Sequence, residues 1–346
     1  MRTRLVVAGL GAATLTLSLT APALAGDHDH GRHKGRDDGY TFAVIGDTPY
    51  GAAKIARFPQ DVDRINADRD VRLVIHVGDI KNGSTVCSDD YFRWVKGQFD
   101  RFEDPLVYTP GDNEWTDCHR PNNGAYDPLE RLATIRRTFF PQPGQTLGKH
   151  PMAVNPQTAI GFPENVLWSR AGVQFATAHV VGSNNSFAPW TGKTGPTPAQ
   201  LADAVDRTAA AVTQIHRAYD EARRTRANAV VIALQADMFD PTYDGWKLEE
   251  NNAFIPVIKA LTEESNQFAG ASYLFDGDSH RYNDDYPLAP GSVWLQRYGL
   301  TTPAPNLHRI TVDGSDAADD YLKVTVDTKV KEGSRDVLSY VRVPLG

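Results

Sequence analysis

Four apolar segments of this sequence each run into a glycine and an acidic residue: Phe42-Ala43-Val44-Ile45-Gly46-Asp47, Leu73-Val74-Ile75-His76-Val77-Gly78-Asp79, Leu106-Val107-Tyr108 leading to Pro110-Gly111-Asp112-Asn113-Glu114-Trp115, and Tyr273-Leu274-Phe275-Asp276-Gly277-Asp278-Ser279-His280. Short runs of this kind, rich in β-branched and aromatic residues and ended by glycine, read as buried strands. Between the first three, Ile55, Phe58, Val62 and Ile65 recur at helical spacing, as do Phe92, Val95, Phe99 and Phe102. Strand, helix and strand in alternation imply parallel strands joined by right-handed crossovers, which bring all the carboxyl ends to one edge. That edge is where open α/β sheets bind their ligands. One Gly-Asp pair is ordinary turn chemistry. Four acids delivered to one edge repel each other and raise one another's pKa unless a cation compensates. Carboxylate and amide oxygens with a single imidazole suit Mg²⁺, Mn²⁺ or Ca²⁺ better than Zn²⁺ or Fe.

The rest of the chain reads as one α/β unit from residue 41 to 346, with no internal repeat and no break in composition. Tyr126 to Phe140 is expected to be helical, Pro141 to Gly161 irregular, and Val166-Leu167-Trp168 with Val173 to Val181 an antiparallel pair. Thr197 should cap a long helix from Pro198 to Arg226. A strand from Ala229 to Leu234 then ends at Gln235, and Ala253 to Leu261 is helical. The later runs Val293-Trp294-Leu295, Leu307 to Val312, Tyr321 to Val326 and Val337 to Val343 read as strands of a second, largely antiparallel sheet.

Residues 1–25 carry Arg2 and Arg4, an uncharged apolar stretch and Ala23-Leu24-Ala25, the pattern of a cleaved signal peptide, so the mature protein is expected to be secreted and without a membrane span. Residues 26–40, with His28, His30 and His33 among polar neighbours, read as a disordered tail. The formal net charge of -7 gives no basic surface for nucleic acid. In an oxidising compartment, Cys87 and Cys118, the only cysteines, are expected to pair and tie two of the acid-bearing loops together. His76, inside an apolar strand, reads as a core histidine.

In order and spacing, Asp47-Thr48-Pro49, Gly78-Asp79, Gly111-Asp112-Asn113-Glu114, Leu234-Gln235 and Gly277-Asp278-Ser279-His280 resemble the motifs of the calcineurin-like metallophosphoesterases, a family related to purple acid phosphatases. Where that family has histidines, this chain has Pro49, Asn113, Gln235 and Asp278; where it has an amide ligand, this chain has Asp112. The resemblance implies a four-layer α/β/β/α sandwich of two mixed sheets with a metal site at the carboxyl ends of the strands. It implies one or two divalent ions, the first held by Asp47, Asp79 and His280 and the second by Asp79, Asp112, Gln235 and Asp278. Asn113 takes the place of the catalytic histidine, and Glu114 keeps the acidic group that orients that histidine in the family, a candidate here for a proton donor or an outer base. From the sequence, His119 is the candidate proton donor, and Arg120, His179 and Arg281 are candidate contacts for a small phosphorylated substrate. The expected activity is hydrolysis of a phosphate mono- or diester; the alternative is a metal- or ligand-binding protein on the same fold without turnover.

Overall fold

In a computed structural model, which describes residues 39–315, 318–331 and 333–346, each of the four acid-bearing runs is a strand. The expected leader and all but the last two residues of the expected tail lie outside the described residues. Among the described residues the strands are β1 (Tyr40–Ile45), β2 (Val71–His76), β3 (Leu106–Tyr108), β4 (Asn155–Gln157), β5 (Phe162–Arg170), β6 (Val173–Thr177), β7 (Ala229–Ala233), β8 (Ala271–Asp276), β9 (Asn283–Asp285), β10 (Leu307–Thr311), β11 (Asp320–Val326) and β12 (Leu338–Pro344). They form two mixed sheets, ordered β12-β11-β1-β2-β3 and β4-β5-β6-β7-β8-β10-β9. In the first, Ile45 pairs with His76 and His76 with Tyr108, so three parallel strands end level with one another. In the second, Thr177 pairs with Ala233 and Ala233 with Phe275, again in parallel.

Alternation along these strands builds the layers. Phe42, Val44, Leu73 and Ile75 point from the first sheet into a core shared with Phe175, Val231, Tyr273, Phe275 and Ile310 of the second. Phe42 meets Phe175 and Phe275 edge-on, with ring centroids 5.4 and 6.0 Å away. Ala43, Ile45 and Val74 face the other way, onto Phe58, Val62, Ile65, Phe92, Phe99 and Ile135 of the helices Gly51–Ala67, Asp89–Phe99 and Pro128–Phe139. The outer face of the second sheet is covered by Pro198–Thr225 and Ile255–Gln267 through Ile215, Tyr219, Val257, Ile258 and Leu261. Each large apolar side chain buried in this way contributes about 1.5–3 kcal/mol. The helix starts are fixed locally: Ser88, Asp127 and Thr197 each accept a first-turn backbone N–H, and Thr197 with Gln200 forms a capping box before Pro198.

Three expectations are revised. Val293-Trp294-Leu295 is the start of a short helix, Val293–Arg297, because Ser292 caps it and Trp294 packs onto Phe239 and Tyr298; three apolar residues carry no period that separates strand from helix. The C-terminal strands do not make a sheet of their own. β10 joins β8 in parallel, while β11 and β12 extend the first sheet antiparallel from β1. The irregular stretch after Phe140 contains the short β4, paired antiparallel with β5. Cys87 and Cys118 form the expected disulfide, and His76 is a core histidine whose Nε2 donates to Thr48 O while its Nδ1 accepts from Gly78 N. Burial holds its pKa down at about 4, so it is neutral.

Candidate metal centre

Asp47 follows β1, Asp79 follows β2, Asp112 to Glu114 follow β3, Gln235 follows β7, and Asp278 and His280 follow β8. The level strand ends bring them together. One oxygen or nitrogen from each of Asp47, Asp79 and His280 lies within 4.8 Å of the others, and so do oxygens of Asp79, Asp112 and Asp278; Asp79 belongs to both groups. This is the arrangement the motif spacing anticipates, with Asp79 in the middle. The chain reaches it at a local cost. Asp47, Asp79, Asp278 and His280 all sit at positive φ, between 49° and 68°, a region that costs a non-glycine residue on the order of 1 kcal/mol or more. Gly111 and Gly277 are needed for the close approach: a Cβ on Gly111 would lie 2.0 Å from Asp79 Oδ1, and one on Gly277 2.2 Å from Asp47 Oδ2.

Asp79 is the most heavily hydrogen-bonded member. Its Oδ2 accepts from Asn113 Nδ2 at 2.6 Å, Tyr50 OH at 2.9 Å and Gln235 Nε2 at 3.2 Å, and its Oδ1 accepts from Asn113 N at 3.0 Å. The Tyr50 hydroxyl also lies 3.3 Å from Asp47 Oδ1 and accepts from Asn113 Nδ2 at 3.0 Å. Gln235 Oε1 accepts from Gly182 N at 2.7 Å. That bond fixes the amide orientation, since the flipped form would set two donors against each other. Gln235 is therefore at the centre as expected, but it presents N–H to Asp79, and its oxygen is turned to the backbone. Glu114 is fully buried and takes no part in the open site. Its Oε1 accepts from Gly111 N at 2.6 Å, Tyr108 OH at 2.7 Å and Asp79 N at 3.2 Å, which clamps the Asp112 loop to the Asp79 loop. Lys81, also fully buried, donates to Asn113 O at 2.7 Å, and burial lowers its pKa to about 8.

On the outer side, Ser183 Oγ bridges Asp112 Oδ2 at 2.9 Å and Asp117 Oδ1 at 3.0 Å, and Arg120 pairs with Asp117 at 2.7 Å. Ser183 to Ser186 form a left-handed turn, with four successive positive φ values. Arg120 lies partly exposed; a Cβ built on Gly83 would touch both its Nη1, at 3.3 Å, and Asn113 Oδ1, at 3.2 Å. His119 is turned away from the carboxylates: Nδ1 lies 2.7 Å from Thr191 Oγ1 and accepts from Thr191 N at 2.9 Å, and the ring lies against Trp190. Arg281 is exposed beside His280. His179 is not at the surface. It is fully buried, with Nδ1 2.8 Å from Glu164 Oε1 and its ring edge-on to Trp115, so its position is behind the Asp112 loop and out of reach of solvent.

Burial, followed by the neighbouring acids, pushes the Asp79 and Asp278 carboxyls well above the usual range, and Asp117 up to about 7. His280 is raised because its hydrogen bond to Asp47 and the charge of Asp47 outweigh burial, which acts the other way. Carboxylates in this density, converging at Asp79, Asp112 and Asp278, fit a hard divalent cation. The sequence reading missed Tyr50, Lys81, Asp117 and Gln235's donor role. Tyr50 stands only three residues after Asp47, and Asp117 three before Arg120, but spacing alone does not separate them from other loop residues.

Residues 40–191 match the profile of the family described as calcineurin-like phosphoesterase. No curated protein matches the chain. Among solved structures, GAP50, the anchor in the inner membrane complex of Plasmodium, is similar at 10% identity over 89% of this chain and 89% of its own, with a TM-score of 0.42. Purple acid phosphatase PPD1 from yellow lupin (Lupinus luteus) seeds is similar at 10% identity over 90% of this chain and 55% of its own, with a TM-score of 0.44. The profile match covers the strands and loops that deliver Asp47, Asp79 and Asp112, so this part of the chain is similar to the calcineurin-like phosphoesterase family.

Proposed function

We propose that this chain is a secreted, metal-dependent hydrolase of a small phosphate mono- or diester. The observation that carries the proposal is the convergence of Asp47, Asp79, Asp112, Asp278 and His280 at one strand edge, in the segment order of the family. Asp79, Asp112 and Asp278 would hold a divalent cation, with Mn²⁺, Mg²⁺ or Ca²⁺ favoured over Zn²⁺ or Fe by the oxygen-rich donor set. Such a cation, when bound, supplies Lewis-acid charge at the phosphoryl oxygens. Arg120 stands at the outer side with a guanidinium able to bind those oxygens in bidentate fashion, and Arg281 adds positive charge at the rim. Asn113, in the place of the catalytic histidine, orients Asp79 and carries no titratable proton. His119 accepts Thr191 N–H at Nδ1, so its proton is on Nε2; burial and then Arg120 lower its pKa, and the neutral ring serves as a hydrogen-bond donor to substrate more readily than as an acid. Export of the chain and its one-domain organisation from residue 41 onward belong to the same proposal, and the buried disulfide supports the oxidising compartment.

Asn113 and the three donors on Asp79 Oδ2 favour a second reading, an ion-binding protein that does not turn substrate over. Hydrolysis of aryl phosphate mono- and diesters by the purified chain, with Mn²⁺, Mg²⁺ or Ca²⁺ added in turn, separates the two. Turnover that depends on the added ion and disappears in Asp79→Asn supports the hydrolase. Ion binding without turnover under any condition supports the second reading, and neither binding nor turnover overturns both.

A further inference from the structure

We infer that Tyr50 occupies the first of the two ion positions, so that the centre takes a single divalent ion, on the Asp79, Asp112 and Asp278 side. The inference rests on the metal-dependent reading above and deepens it.

The two candidate groups differ in what already stands between their members. An ion shared by Asp47 and Asp79 would have to lie between the two carboxylates. In this chain the Tyr50 hydroxyl lies there, 3.3 Å from Asp47 Oδ1 and 2.9 Å from Asp79 Oδ2, and Asn113 Nδ2 holds it from the other side at 3.0 Å. The position is built: Tyr50 is 4% exposed, and its ring stacks edge-on with His280 at 5.3 Å. His280 Nε2 in turn lies 3.3 Å from Asp47 Oδ1, so both side chains on this side turn to Asp47. Asp47 Oδ2 also accepts from Asp278 N at 3.0 Å. Asp47 is thus satisfied by Tyr50, His280 and a backbone amide. The residue after Thr48, Pro49, offers no ligand atom.

The second group is different in kind. It consists of three carboxylates, and the one side-chain hydroxyl on Asp112, Ser183 Oγ, sits on Oδ2 at 2.9 Å and is shared with Asp117. The backbone is drawn in tightly around it: a Cβ on Gly182 would lie 2.7 Å from Asp112 Oδ2 and 2.9 Å from Asp278 Oδ1. A hard cation takes three carboxylates in preference to a position where two carboxylates are already bonded to a hydroxyl and an imidazole.

The test is the stoichiometry and spectrum of Mn²⁺ on the full chain after removal of bound metal with a chelator. Titration calorimetry and elemental analysis are expected to give one ion per chain, and low-temperature electron paramagnetic resonance the hyperfine pattern of an isolated Mn²⁺. Asp47→Asn is expected to leave the affinity within about threefold, while Asp112→Asn and Asp278→Asn each weaken it at least tenfold. Thermal melts of the ion-free variants check that they fold, and the wild-type stoichiometry decides the matter even where one does not. Two ions with an exchange-coupled spectrum would overturn the single-ion inference and leave the hydrolase reading intact. So would an Asp47→Asn variant, folded, that loses as much affinity as Asp278→Asn. No Mn²⁺ bound at all would overturn the inference and the metal-dependent reading together.

Discussion

Replacing both Cys87 and Cys118 by Ala tests how far the Asp112 loop depends on its cross-link. The two residues are 31 apart in sequence, and a bond closing a loop of that length lowers the entropy of the unfolded chain by about 12 cal/mol/K, or about 3.7 kcal/mol at 25 °C. Both side chains are fully buried among Ile80, Phe92 and Tyr108, and trimming two sulfurs from such a core adds about 1 kcal/mol or more. A total near 4–5 kcal/mol is a large fraction of the 5–15 kcal/mol typical of a folded domain. Urea unfolding followed by fluorescence and circular dichroism is the assay, comparing wild type, the double variant and each single variant. Each single variant should lose most of the same stability, because one cysteine cannot close the loop. A double-variant loss below about 1 kcal/mol would refute the argument, since it would mean that the packing of the Thr116–His119 turn holds the loop without the bond. The intact native chain should resist reductant, because neither sulfur reaches solvent.

Glu114→Ala leaves the buried N–H groups of Gly111 and Asp79 and the Tyr108 hydroxyl without their acceptor; at about 1–3 kcal/mol for each unpaired group, the expected loss is about 3 kcal/mol or more by chemical denaturation. The folded pKa values of Asp79, Asp112 and Asp278 are raised by burial, so their contribution to stability is fully present below the unfolded carboxylate pKa of about 3.9 and is lost as pH rises through the folded values. The ion-free chain should therefore lose melting temperature from about pH 4 towards neutrality, and added Mn²⁺ should restore it at neutral pH and have little effect near pH 4; a flat ion-free profile would contradict this. Arg120→Ala should raise the KM for an aryl phosphate about tenfold or more with a smaller change in kcat, and Arg120→Lys should recover only part of the loss, because a lysine cannot bind two oxygens in a fork. Thr197→Ala should cost about 1 kcal/mol through loss of the helix cap, without changing ion binding.

How much of this was legible in the sequence follows from how local each determinant is. The strand ends that place Asp47, Asp79, Asp112 and Asp278 could be read because an apolar run, a glycine and an acid are consecutive residues, and the alternation with helical stripes at Phe58 and Val62 or Phe92 and Val95 makes the strands parallel. The partners of β10, β11 and β12 could not, because a short apolar strand carries its face in its sequence but not its neighbour; β11 pairs with β1 some 280 positions away. The same distinction separates the parts of the site. Which residues reach the edge is a matter of chain order. Which way an amide or hydroxyl points once there is settled by groups from other strands: Gly182 turns the Gln235 oxygen away, Asn113 and the two carboxylates hold Tyr50, and Glu164 with Trp115 keeps His179 inside.

These orientations bear directly on the chemistry. Donors compete with ions for carboxylate lone pairs, and in this chain Asp79 Oδ2 already accepts from three of them, Tyr50, Asn113 and Gln235. Two of these, Asn113 and Gln235, stand where the resembled motifs carry histidines, so the substitutions have the same physical effect at two separate strand ends: each replaces a group that can ligate or titrate with one that donates a hydrogen bond to Asp79. The convergence ties Asp79 Oδ2 into the protein's own hydrogen bonding. On the hydrolase reading Asn113 offers nothing titratable, which makes the Arg120 variants informative on hydrolysis itself.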